Sequence, residues 1–337
     1  MMKRITYTVI LIICLATACK KDKPATSTQP NGPTEPDKEW VVYNTTNSTL
    51  PNDQVNALAI DKSDTKWVGT ANGLVHITGN TWTTFNPGNS PLPSAYITAL
   101  AVQNDGTIWV GTDKGLARYN KEGWAVYNTG NSLLTDNLIT CLAYDARLNI
   151  VWAGTGMGFY KISNARNWER FSELENQIIY SIAADNNGAI WLGTFNHIAF
   201  KGRIIKFDND KFTTINLHNV GYTSTHPYSI AIDKSNRPLV VLTGTTTKAV
   251  VRVNGTDLEE IIRPETAYGL KTILLEGDKI WVGGKTLNIF GDKTEPNIVI
   301  PGTDANIQAM AIDSKGRKWL GTIYGGVAVY NDHIKPL

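Results

Sequence analysis

Between residues 55 and 322 one phrase returns seven times, at intervals of about forty residues. An apolar run closes on an acid or an amide, a short polar turn follows, and then comes Trp-x-Gly-Thr. Val55-Asn-Ala-Leu-Ala-Ile-Asp61 leads to Trp67-Val-Gly-Thr70, and Ile97-Thr-Ala-Leu-Ala-Val-Gln103 leads to Trp109-Val-Gly-Thr112. The pattern repeats at Ile139 with Trp152, at Ile179 with Trp191, and at Ile307 with Trp319. Leu270 with Trp281-Val-Gly-Gly284 is a looser copy, and Tyr228 to Asp233 with Leu239-Val-Val241 is a worn one without tryptophan. A fixed period of this length marks a unit that cannot bury its apolar face alone and must stack on its neighbours.

Each unit reads as four short strands. The first alternates apolar with small or polar residues and ends at a turn such as Asn104-Asp105-Gly106. The second carries the Trp-x-Gly-Thr, the third follows a glycine as in Gly115-Leu-Ala-Arg-Tyr119, and the fourth is Trp124-Ala-Val-Tyr127. Of the ten tryptophans, six sit in second strands (Trp67, Trp109, Trp152, Trp191, Trp281, Trp319) and four in fourth strands (Trp40, Trp82, Trp124, Trp168). A large aromatic at a fixed place in every sheet suits packing of one twisted blade on the next, rather than a ring of exposed sugar-stacking indoles. The last unit stops after three strands at Gly326-Val-Ala-Val-Tyr330, while Trp40-Val-Val-Tyr43 is a fourth strand lacking its first three. Pairing one with the other removes two open edges. The expectation is an all-β chain in which residues 39–337 form a single seven-bladed β-propeller of four-stranded blades, closed by the N-terminal strand.

The repeat Ile-x-x-Leu-Ala-x-Asp, Ile-Trp-Val-Gly-Thr-x-x-Gly-Leu, Trp-x-x-Tyr-Asn-x-x-Asn-Ser-x-Leu, best seen at residues 97–138, resembles the two-component regulator propeller repeat. The resemblance weakens between Phe195 and Gly269. It implies a propeller like those in the periplasmic sensor regions of hybrid histidine kinases, which help detect oligosaccharides. The 337 residues hold one ring, with no kinase segment and no phospho-acceptor domain, so the expected role is binding of a glycan fragment or an envelope partner protein, as an accessory to two-component sensing or to polysaccharide uptake.

Residues 1–18 read as an export signal. Met-Met-Lys-Arg is a positive start, and the apolar run Ile5 to Ala18 is shorter than the roughly 20 residues of a spanning helix. Leu15-Ala16-Thr17-Ala18-Cys19 resembles the lipobox of bacterial lipoproteins, with Ala16 where Leu, Val or Ile is usual. It implies lipidation at Cys19 and anchoring to a leaflet of a gram-negative envelope, outer membrane included; an ordinary signal peptide with an incidental cysteine is the alternative. Residues 19–38 hold four prolines among polar residues and read as a solvated tether.

Residues 1–18 hold Lys3 and Arg4 and no acid, so the remainder balances at 30 basic against 30 acidic residues. A balanced chain argues against nucleic-acid binding by phosphate neutralisation and against a polybasic membrane patch. Three cysteines, Cys14 in the leader, Cys19 just after it and Cys141 alone in the body, make neither a disulfide framework nor a Cys-rich metal centre. No nucleophile elbow, phosphate loop or cofactor motif is present, so no cofactor is expected and the chain reads as non-catalytic.

In a propeller the second-to-third-strand turns and the blade-to-blade connections share one face. Blade 4 has an apparent insertion there, Phe195-Asn-His-Ile-Ala-Phe-Lys-Gly202, followed by a long connection from His218 to Pro227. Phe195, Asn196, His197, Phe200, His218, Tyr222 and His226 therefore form a candidate ligand-contacting sector, with Asp113, Lys114 and Tyr324 on other turns of that face. Two further readings stand beside it: longer surface loops on an irregular blade, and a Tyr/His acid–base site of a polysaccharide lyase or hydrolase. A histidine metal site lacks helical spacing to fix its geometry. The acids closing the first strands (Asp61, Asp145, Asp185, Asp233, Asp313) read as turn caps, since Gln103 breaks any ring of carboxylates.

Overall fold

The computed structural model describes residues 39–164, 166–222, 224–244, 248–263, 269–291, 295–303 and 306–334. Cys19, the export signal and the tether lie outside the described residues. Seven antiparallel four-stranded sheets follow one another round a ring. Blades 1 to 6 span residues 55–85, 97–127, 139–170, 178–216, 225–262 and 272–298, each with its strands in chain order. Blade 7 takes Ile307–Ile312, Lys318–Thr322 and Val327–Tyr330 from the C-terminal end and Trp40–Tyr43 from the N-terminal end. Val41 lies opposite Val329 in that pairing, so the ring closes as the repeat arithmetic predicts. Two single-turn 3-10 segments, Ser172–Leu174 and Leu217–Val220, are the helical pieces among the described residues.

The six second-strand tryptophans are all buried, so none offers an indole face to a sugar. In blades 4 and 7 the aspartate that ends the first strand works twice, whereas the Trp67 and Trp152 indoles are buried without an acceptor among the described residues. One Asp185 oxygen takes the amides of Asn187, Gly188 and Ala189, and the other takes the Trp191 indole N–H at 3.0 Å. Asp313 repeats the arrangement with Trp319. Gln103 Oε1 accepts from Trp109 at 2.8 Å and Glu276 from Trp281 at 3.2 Å, so an amide or a glutamate serves as well as an aspartate. The turn-cap reading therefore holds, and in blades 2, 4, 6 and 7 the residue also pairs a buried indole N–H.

The glycine of Trp-x-Gly-Thr sets the distance between blades. A Cβ on Gly111 would stand 2.7 Å from Ile139 Cγ2, the first apolar residue of the next blade. The same contact joins Gly69 to Ile97, Gly154 to Ile179, Gly283 to Ile307, and across the closure Gly321 to Val55. In the worn blade 5, Val241 holds the place opposite Ser229 that glycine holds elsewhere. A different glycine, Gly115, has φ +130° in the turn after Thr112, where a Cβ would meet the Tyr127 carbonyl at 2.6 Å.

These contacts make Gly111→Ala an overpacking change. It should cost about 1–3 kcal/mol, read as a fall in melting temperature. In a double-mutant cycle with Ile139→Ala the pair should lose clearly less than the sum of the two single changes. Strict additivity would show that the blades are not held apart at this contact.

Candidate functional site

The innermost strands of six blades share a register shift just after their first apolar residue: Val55/Ala57, Ile97/Ala99, Ile139/Cys141, Ile179/Ser181, Pro227/Ser229 and Ile307/Ala309. The residue inside each bulge is Asn56, Thr98, Thr140, Tyr180, Tyr228 and Gln308. In blade 6 Lys271 takes the equivalent place, one residue before the Thr272–Gly283 pair. Bulges re-aim side chains without ending the ladder. In blades 1 and 3 the small polar residue ties its blade to the next: Asn56 donates to the Ile97 carbonyl at 2.9 Å and Thr140 to that of Ile179 at 2.5 Å.

Blades 4, 5 and 6 break that rule together. Tyr180 and Tyr228 meet edge to face with centroids 5.2 Å apart, and the Lys271 ammonium lies 3.4 Å above the Tyr228 ring. The bridging bonds are moved elsewhere: Ser181 donates to the Pro227 carbonyl and Thr243 to that of Leu270. His226 joins the group, stacked 4.0 Å from Phe195, 5.5 Å from Tyr228 and edge-on to Tyr180 at 5.3 Å. His197 meets the Phe195 ring at 5.4 Å. Three aromatic rings, two imidazoles and a lysine thus occupy one sector around the inner ends of blades 4 to 6. Burial lowers the His226 pKa below the ordinary 6.5; a bond with the Thr243 backbone raises it, and nearby Lys271 and His197 lower it further. Burial pushes the Tyr180 phenol up, and neighbouring Tyr228 adds to the rise.

Of the residues singled out from sequence, the structure brings Phe195, His197 and His226 together, and Asn196 supports them. The apparent insertion is a longer hairpin: the second strand runs through Asn196, the third begins at Lys201, and the two are paired. Asn196 Oδ1 accepts from the Ala199 amide and holds the tip, where Ile198 and Phe200 are exposed and Phe200 has φ +51°. Phe195 is not a loop aromatic but a buried strand residue. His226 likewise belongs to the innermost strand, Thr225–Ile232.

Tyr222 does not join the histidines. Its ring packs in the core between blades 4 and 5, and its phenol donates to Glu260 at 2.9 Å, a carboxylate also held by Arg263. The convergence of Tyr222 with His197, His218 and His226 expected for an acid–base site is therefore not formed. His218 is exposed on the 3-10 turn Leu217–Val220, and Asp113, Lys114 and Tyr324 are exposed on the turns of blades 2 and 7. Sequence reading missed Tyr180, Tyr228 and Lys271. The signal was available: the residue after the leading apolar one is small and polar or an amide in four units, and Tyr, Tyr and Lys in three consecutive ones.

Residues 91–114 and 173–196 match the family model described as two component regulator propeller. No curated protein matches the chain in sequence. Among solved structures, the extracellular domain of a one component system of B. thetaiotaomicron is 18% identical, with a TM-score of 0.69 over 88% of this chain. The chain spans about 40% of that domain's length. Virginiamycin B lyase of Staphylococcus aureus, crystallised with quinupristin, is 14% identical with a TM-score of 0.69, over 86% of this chain and 98% of its own. PorZ, a surface component of the type-IX secretion system of Porphyromonas gingivalis, is 15% identical with a TM-score of 0.63, over 83% of this chain and 46% of its own. These likenesses carry the fold. The matched segments are the first two strands of blades 2 and 4 with the connections that lead into them, so these two blades carry segments similar to the two component regulator propeller repeat.

Proposed function

We propose that this chain is an exported, lipid-anchored propeller that binds a glycan fragment at the inner ends of blades 4 to 6 and performs no chemistry on it. The observation that carries the reading is the sector of Phe195, His226, Tyr180, Tyr228 and Lys271, where the repeat's small bulge residues are replaced by rings and a cation. Aromatic faces take the apolar faces of pyranose rings, while Lys271 and the imidazoles offer hydrogen bonds to hydroxyl or acidic groups. The structural likeness to an extracellular sensor domain supports an exported binding role, and Cys19 supplies the anchor in this reading. The apolar hairpin tip, Ile198 with Phe200, is a surface that an envelope partner protein could share.

A glycan panel read by thermal shift tests this. At least one member should raise the melting temperature, and Tyr228→Ala or His226→Ala should abolish the rise. No shift across the panel, together with a protein that co-purifies and is lost on Phe200→Ala, moves the function to a protein scaffold.

One observation favours a second reading, a polysaccharide lyase: burial keeps His226 neutral near pH 7, and a neutral imidazole can accept a proton. That reading requires turnover of uronate glycans that is lost in His226→Ala at unchanged melting temperature. Absence of any unsaturated product from such a panel ends it.

The two histidines with depressed pKa values also set a stability trend. Burial holds both His76 and His226 below 6.5 in the folded chain. As pH falls from about 7 to about 5, the unfolded chain takes up protons there that the folded chain resists, so stability declines with acidity. The melting temperature should fall over this window, and fall less in His226→Gln. Equal acid sensitivity of the two proteins would contradict the assignment.

A further inference from the structure

A second site lies at the outer rim, away from the axial sector. The end of blade 2 and the start of the fourth strand of blade 3 border an open, shallow cleft of about 510 Å³ lined by Tyr127, Asn131, Ser132, Leu133, Arg166 and Trp168. Its floor is an aromatic pair, Tyr127 and Trp168, with centroids 5.2 Å apart. Its wall is a rigid loop: Asn131 Oδ1 accepts from the Asn128 amide, Asn131 Nδ2 donates to the Val126 carbonyl, and the Ser132 hydroxyl donates to that of Asn128. Leu133 stands half exposed beside it.

Beside Tyr127 on blade 2, next to the cleft lining, lies an uncompensated charge. A basic residue faces the second strand at one register position in five blades: His76, Arg118, Lys161, Lys206 and Arg252. Lys161 pairs with Glu169, Lys206 with Asp208, and Arg252 with Asp233 and Glu259. Glu169 and Glu259 are the adjacent fourth-strand residues; opposite Arg118 that place is held by Ala125. Among the described residues Arg118 has no carboxylate partner, and its Nε is buried without an acceptor. Arg118 and Tyr127 lie on the same face of blade 2, two register positions apart, and burial raises the Tyr127 pKa while the nearby arginine offsets part of that rise. The guanidinium of Arg166 lines the mouth, also without a carboxylate among the described residues. Two unpaired guanidinium groups beside an aromatic floor call for a ring that carries an anion.

We propose that the cleft between blades 2 and 3 binds an acidic sugar unit, its ring stacked on Trp168 and its carboxylate held by Arg166 and Arg118. The site is independent of the axial sector.

Titration of the full-length protein with galacturonate, galactose, benzoate and acetate, followed by calorimetry, tests it. Galacturonate should bind saturably, with galactose and acetate at least tenfold weaker. Ala125→Glu supplies the carboxylate that blades 3 and 5 carry at this place. It should weaken galacturonate at least tenfold while leaving the melting temperature unchanged or higher. Exposed Arg166→Ala should weaken it as well, and carries the test should Ala125→Glu unfold. Tyr228→Ala should leave this binding intact, which separates the cleft from the axial sector. Measured in the Tyr228→Ala protein, where the axial sector is disabled, galactose binding as well as galacturonate, unchanged affinity in both rim variants, or no binding of galacturonate would overturn the proposal; benzoate binding more tightly would overturn the choice of a sugar.

Discussion

A missing side chain holds this ring together. At Gly69, Gly111, Gly154, Gly283 and Gly321 the next blade's first β-branched residue lies where a Cβ would stand, and at Gly193 Pro227 takes that place. Close approach of this kind lets seven wedges share continuous apolar interfaces with the indoles inside them. The last of these contacts joins the C-terminal blade to the first, and the strand Trp40–Tyr43 completes the sheet on the outer side of the same blade. The two ends of the chain are therefore locked by the same glycine contact that spaces blades 1 to 4 and 6 from 7.

A ring with so strict a rule reveals its special places by exception. Blade 5 puts Val241 where the rule asks for glycine, and blades 4, 5 and 6 put Tyr180, Tyr228 and Lys271 where other blades have an amide or a threonine. The inter-blade bonds lost by these exchanges are made by Ser181 and Thr243 instead, so the scaffold stays closed while the inner sector changes character. The longer hairpin of blade 4 brings Phe195 beneath His226 in the same sector. Ala125 is an exception of another kind, a small residue where two sister blades place an acid.

Most of the architecture was legible in one dimension because the repeat restates itself: blade number, strand order and closure follow from counting units and noticing that Trp40 to Tyr43 is a strand without its hairpin. The site was less legible because side-chain neighbours come from register. His226 and Phe195 looked like loop residues, since proline and a run of polar residues hide the early start of the strand Thr225–Ile232. Tyr222, four residues before His226, points into the core between blades because the chain turns through Leu217–Val220 first. Tyr180, Tyr228 and Lys271 are about forty-five residues apart in sequence and become neighbours through the ring.

The proposed ligand recognition sits where three consecutive blades abandon the rule at their inner ends. Hydrogen exchange, compared with and without the glycan that most stabilises the protein, tests it most directly. New protection should fall on residues 178–184, 195–203, 225–232 and 270–273. Protection confined to the turns at residues 70–73 and 322–325, with blades 4 to 6 unchanged, would contradict it.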